Sequence, residues 1–372
     1  MRSIVIAVCI LFPSVIRAQG QQVSFRKPDG LVLSTGNLYF TSHDSAGAAV
    51  WRTSQTAMPG QETILYWEAG AIFGDIVFAQ INNSFFGYFF ATKSGVITIR
   101  RVSLTGGNAT VLATVTNVDV ANSHRNLATD GVNLYWQDSS TVRKMPIGGG
   151  AVSVLDQTTP NTPTAGIVLQ GNRIIYASVD TVHFVPKSGA ITAPSVRIIA
   201  QASSPVTALH IGLSGVYWGE RSGAVRVKRS GSPTQTLPGS SSLIPTSIST
   251  DGVSVVNGIQ SDASIAWTRC GSQTCELIRF PLGSGSTLPI GSSALGVQIT
   301  PVQNVLWGDA AGVHRLRFNS MNMATDAALS TSNLSPDTPP SWASTCACPS
   351  FPEGYSGNGR RIALRWFGSL RR

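Results

Sequence analysis

The stretch "ATDGVNLYWQD", residues 128–138, decides how this chain is read. Thr-Asp-Gly is a turn signal: the aspartate side chain accepts a bond from the backbone ahead, and glycine takes positive φ. The residues after it, rich in aliphatic and aromatic side chains, suit a strand packed in a sheet. The segment therefore reads as the end of one strand, a turn, and a second strand.

The pattern recurs as "STGNLYFTS", "FGYFFATK", "QGNRIIYAS", "GLSGVYWGE", "SIAWTR" and "VQNVLWGD". Taking the final aromatic as anchor, the copies stand at Phe40, Phe90, Trp136, Tyr176, Trp218, Trp267 and Trp307, separated by 50, 46, 40, 42, 49 and 40 residues. Beyond each anchor comes an alternating strand, as in "TVRKMPIGGG", "TVHFVPKSG" and "ELIRFPLGSG". Pro146, Pro186 and Pro281 stand at equivalent places before a glycine turn. Proline cannot donate to a ladder, so these positions mark strand ends. A fourth short strand follows, as in "VSVL", "VRII" and "ATVLAT".

Four strands per unit of about 40 to 50 residues is the signature of β-propeller blades. The reason is burial. A single four-stranded sheet cannot cover both its faces, whereas sheets stacked around an axis cover each other. The anchors, on the second strand of each blade, should fill the space between neighbouring sheets, each contributing about 1.5–3 kcal/mol. The sequence thus predicts an all-β β-propeller over residues 23–332, seven-bladed or alternatively six-bladed, with blades beginning near 31, 72, 127, 167, 207, 247 and 297. Extra residues are expected in "HDSAGAAVW", "AQINNSFFGYFF" and "TRCGSQTCE", in blades one, two and six.

Only 12% of the 372 residues are charged, and Gly, Ser and Thr abound, as in an all-β chain with many tight turns. Residues 1–20 have the form of a secretory signal peptide: Arg2, an apolar run to Ile16, then Ala18 and Gly20 where a signal peptidase reads. The expectation is a monomer that is secreted, periplasmic or at the cell surface, with no integral membrane span after signal cleavage. Of the net charge of +9, two arginines lie in the signal and five in the last thirteen residues. The remainder is interspersed, without the basic stripe of a nucleic-acid binder, so no nucleic-acid partner is expected. Cys270 and Cys275 flank "GSQT" and should form a disulfide across a hairpin turn.

The "LYWQD", "VYWGE", "LYFTS" and "LWGD" segments resemble degenerate members of the YWTD family of propeller repeats and related bacterial repeat proteins. No unit carries an intact Tyr-Trp-Thr-Asp, and that family is usually six-bladed. "CACPSFPEGYSGNG", residues 346–359, resembles the second half of an EGF-like module that has lost its final cysteine. Residues 333–372 are read as a Pro-rich linker and this partial module with a basic tail, poorly ordered.

A catalytic constellation would have to sit at the axis, and the inner strands offer mostly aliphatic and hydroxyl residues. No set of hard oxygen ligands for calcium can be assembled there. His43, His124, His183, His210 and His314 are scattered singly, without the pairing zinc requires. His210 is the one with a chance of facing the channel. No catalytic, cofactor-binding or metal residue is therefore assigned, and no cofactor is expected. The candidate binding loop is aromatic: Phe85, Phe86 and Tyr88. The expected function is an exported binding module for a protein or glycan, without catalysis. The alternatives are a metal-dependent hydrolase or lyase with its site at the axis, and a structural surface or adhesion protein.

Overall fold

The computed structural model describes residues 29–331 except 35, 55–60, 119, 121–125, 139–140, 158–164, 190–196, 240–241, 251–253, 257–258, 263, 272–274, 282–285, 291–295, 300–304, 310–311 and 319–323. All thirty elements among them are strands, joined into seven four-stranded sheets and one two-stranded hairpin. The sheets span 29–69, 71–115, 127–157, 167–201, 206–236, 244–290 and 296–331, and are called the first to the seventh below. Each is antiparallel and built only from consecutive segments of chain.

The first strand of each sheet lies beside the first strand of the next. Asp29–Ser34 neighbours Ala71–Ile81, then come Leu127–Thr129, Ile167–Gln170, Val206–Ile211, Ile244–Thr250 and Gly296–Ile299, and the last returns to Asp29–Ser34. The chain is a β-propeller of four-stranded blades. The inner strands begin within three residues of the positions expected from the repeat.

The second strands explain why the sheets stack. Successive residues of a strand point to opposite faces. In the third sheet Tyr135 packs with Ile167, Ile174, Tyr176 and Val185 of the fourth, while Trp136 packs with Phe90 and Ile99 of the second. The first sheet repeats this: Tyr39 meets Phe73 and Phe89 of the second, and Phe40 meets Val313 of the seventh. In the fifth, Tyr217 packs with Ile248 and Trp267, and Trp218 with Ile175 and Val182. Phe40, Phe90, Trp136, Tyr176, Trp218 and Trp267 are each at most 2% exposed. Trp307 lies in the strand Val305–Asp309, but its side chain is outside the description.

The second sheet departs from the expected register. There Phe89 faces the first sheet and Phe90 the third, so Phe89 is the structural equivalent of Trp136. Aromatic residues on both faces of "FFGYFF" hide the alternation. A slip of one residue exchanges the two faces.

Two of the expected insertions also sit elsewhere. "HDSAGAAVW" holds a tight turn, in which Asp44 accepts bonds from the Ala46 and Gly47 amides at 2.7 and 3.1 Å. The extra length of the first sheet falls instead between Gly47–Ser54 and Thr63–Ala69. In the sixth sheet it is the hairpin Ser254–Val256/Ile259–Ser261, between the first and second strands of that sheet. The second sheet does extend through "AQINNSFFGYFF", as a long hairpin turning at Asn82 and Asn83, both at positive φ.

Cys270 and Cys275 pair directly across two strands, with Cα atoms 4.1 Å apart, and form a disulfide. Pro146, Pro186 and Pro281 are the last residues of third strands. Two residues beyond five of the anchors, on the same face, stands a buried polar residue: Ser42, Asp138, Ser178, Glu220 and Arg269. Glu220 is the fullest example. Its carboxylate accepts from Trp218 Nε1 at 3.1 Å and Ser203 Oγ at 2.6 Å, and pairs with Arg226 Nε at 2.6 Å. Burying a charge is tolerable only with such a set of partners.

Replacing Glu220 with alanine removes this hub and strands the Arg226 charge. The expected loss is about 3–5 kcal/mol in chemical denaturation. A loss below about 1 kcal/mol would show that the hub is dispensable. Reduction of Cys270–Cys275 should lower stability by at most about 2 kcal/mol, because the loop it closes is short. Denaturation curves with and without reductant give that comparison.

Candidate functional site

One end of the ring carries the turns from first to second and from third to fourth strands. Between the fourth and fifth sheets these turns enclose a cleft of ≈ 570 Å³. Its walls include Gln170 and Arg173 from the fourth sheet, and Leu213, Lys228, Arg229 and Ser230 from the fifth. The tight turns follow from their glycines: Gly171 and Gly231 adopt φ of +54° and +71°. At Gly215 a Cβ would lie 2.3 Å from the Lys228 carbonyl oxygen, so only glycine lets the two fifth-sheet hairpins approach this closely.

Three cations converge on the cleft. The Arg173 guanidinium lies 4.5 Å over the Phe184 ring. Lys228 Nζ donates to the Ser232 carbonyl at 2.6 Å, and Arg229 donates to Gln235 Oε1. Among the described residues none of the three is ion-paired, whereas Lys93, Arg100, Arg143, Lys187, Arg197, Arg226 and Arg269 all are.

Nearby carboxylates are occupied with holding turns. Asp262 accepts from the Leu213 and Ser214 amides at 3.0 and 2.9 Å and from the Tyr217 hydroxyl at 3.0 Å. Burial, together with that negative charge, pushes Tyr217 up to about 12. Asp130, in the Thr-Asp-Gly turn, accepts from the Val132 and Asn133 amides at 3.0 and 2.8 Å. It also takes the Tyr135 hydroxyl at 2.8 Å and pairs with Lys187 of the next sheet at 3.1 Å. Burial alone would raise its pKa, but these donors outweigh it and hold the carboxyl at about 2. Asp251, in the matching turn of the sixth sheet, lies outside the described residues.

The histidines are tied into the framework. His210 Nε2 is 3.2 Å from both the Thr250 amide and its hydroxyl, an acceptor position that fits a neutral ring. His183 stacks on Tyr176 with centroids 5.4 Å apart, and burial lowers its pKa. Tyr176 in turn donates to Asp156 at 2.7 Å, and Asp156 pairs with Arg197. Among the described residues no group of three His, Cys, Asp or Glu side chains could hold a metal ion.

The candidate aromatic loop divides on inspection. Phe85 is 44% exposed near the tip of the long hairpin, and Phe86 lies under the Arg101 guanidinium at 5.0 Å. Tyr88 is fully buried in the strand Ser84–Lys93 and packs between the second and third sheets, so it cannot meet a ligand. The cleft was not found from the sequence, although a signal exists. Lys228 and Arg229, consecutive at the end of the strand Val225–Lys228, mark a basic turn, and Arg173 begins the second strand of the preceding repeat.

No protein-family model matches this chain, and no curated protein matches it in sequence. Solved structures do match. A streptogramin B lyase aligns at 13% identity and TM-score 0.57, over 81% of this chain and 96% of that one. A chain of a mitotic checkpoint complex aligns at 10% identity and TM-score 0.56, over 84% and 93%. Sqt1 of Saccharomyces cerevisiae aligns at 11% and 0.53, over 82% and 86%. At such identities the likeness is one of fold. The chain is a β-propeller repeat protein.

The Asp130 geometry sets a pH dependence. Its pKa falls from 3.8 to about 2 on folding, so its contribution is complete above about pH 4 and is lost as pH falls toward 2. Denaturation midpoints measured from pH 6 to pH 2 should fall less steeply in Asp130→Asn than in the parent protein. Parallel curves would refute the assignment.

Proposed function

We propose that this chain is an exported, seven-bladed β-propeller of YWTD-like repeats that binds a protein or glycan partner and performs no catalysis. The observation that carries the reading is the distribution of charge at the cleft end of the ring. The cations of the cleft have no ion pair among the described residues, while Asp130 and Asp262 have their oxygens engaged by backbone amides and tyrosine hydroxyls. General acid–base catalysis needs a titratable group free to exchange a proton with substrate at working pH. His210, the inner-strand histidine, is already accepting from Thr250. Recognition asks for less: loops of unequal length on a rigid ring, with polar groups pointing outward. The exported location is supported by the signal-like N-terminus and by the Cys270–Cys275 disulfide, which persists in oxidising compartments.

The test combines metal analysis of the purified protein with an esterase, lactonase and lyase screen. Substoichiometric divalent metal and no turnover are expected. A stoichiometric ion, with turnover abolished by chelation, would replace this reading with that of a metal-dependent hydrolase or lyase at the axis.

A further inference from the structure

We infer that the cleft between the fourth and fifth sheets is a binding site for a short acidic oligosaccharide, carboxylated or sulfated. This rests on the reading of the protein as a binding module and names its ligand class. Three features converge on it. The first is charge: Arg173 from one turn and the adjacent Lys228 and Arg229 from another reach one cleft, without an ion pair among the described residues. Uncompensated cations on a concave wall raise the local potential and concentrate anions. A guanidinium also presents a planar fork that matches a carboxylate or sulfate through two parallel hydrogen bonds.

The second feature is the rest of the lining. Gln170, Asn172, Ser214 and Ser230 supply amide and hydroxyl groups that both donate and accept, as sugar hydroxyls require. Leu213, 49% exposed, offers a small apolar surface for a sugar ring face. The third is size. At ≈ 570 Å³ the cleft falls within the range of small-ligand sites, about 300–1,000 Å³. The framework is rigid as well: Asp262 clamps the Leu213–Ser214 turn, and Gly215 locks it against the Lys228 hairpin. Little ordering is then left for binding to impose.

The test is calorimetric titration of the full chain with trigalacturonate and with a heparin-derived tetrasaccharide, the two arms separating carboxylate from sulfate recognition. Maltotriose and hexaglutamate serve as the neutral-sugar and acidic-peptide controls. At least one acidic sugar should bind, more weakly as salt is raised, and each of Arg173→Gln, Lys228→Gln and Arg229→Gln should weaken it about tenfold. Arg221→Gln, at the opposite end of the fifth sheet, should leave affinity unchanged. Thermal melts confirm that each variant folds, and the three single variants keep the test intact if a combined variant does not. The inference falls if neither acidic sugar binds, if the cleft variants bind as the parent does, or if maltotriose or hexaglutamate binds equally well. Binding of a neutral glycan or a protein elsewhere on the ring would leave the broader reading standing and remove this one.

Discussion

Each four-stranded sheet has two apolar faces and can cover neither alone, and everything else in this molecule follows from that constraint. The consecutive aromatics of the second strand are its direct answer. Tyr135 and Trp136, adjacent in sequence, are buried against sheets on opposite sides. Tyr39 with Phe40, and Tyr217 with Trp218, do the same. A dipeptide thus joins three sheets, and the interface it builds on one side is continued by the next repeat. The charged groups admitted to these interfaces come with partners. Glu220 satisfies Trp218, Ser203 and Arg226 together, and Asp156 serves Tyr176 and Arg197.

The use of acids inside the framework has an electrostatic result outside it. The chain has 18 acidic residues against 27 lysines and arginines. Several of those acids, among them Asp44, Asp130, Asp138 and Asp262, hold turns by accepting backbone amides. Asp130 and Asp138 at the same time pair with Lys187 and Arg143, so these acids also neutralise cations in their own neighbourhood. Arg173, Lys228 and Arg229, in the fourth- and fifth-sheet turns, by contrast have no ion pair among the described residues.

Much of the architecture was legible because burial repeats. The anchors, the inner-strand starts, the strand-ending prolines and the Cys270–Cys275 pair all follow from rules that act within a few residues. Reading failed where a local rule became ambiguous. "FFGYFF" carries aromatics on both faces, so Phe90 was chosen where Phe89 is the equivalent residue. The same density of aromatics made Tyr88 look like part of a surface loop, although it lies at a sheet interface. The extra lengths in the first and sixth sheets were assigned to the more conspicuous segments rather than to the connections that hold them. The cleft escaped for a different reason. Its cations are ordinary alternating residues in their own strands, and only the stacking of two sheets brings them together.

Among the described residues no sheet borrows a strand from elsewhere in the chain. The seam between the first and seventh sheets is made by Asp29–Ser34 against Gly296–Ile299 and by Phe40 against Val313, contacts of the same kind as those between the first and second sheets. Many closed objects are held by a clasp, but this one is an arch in which every stone, including the last, is kept by pressure from its neighbours. Its number of members is then fixed by the angle each wedge subtends and not by any threading of the chain. Duplication or deletion of one contiguous coding segment would add or remove a whole member while leaving every other connection as it was. Such a body can change its circumference in a single genetic event, and the uneven drift of its repeats is the record expected of one that has grown this way.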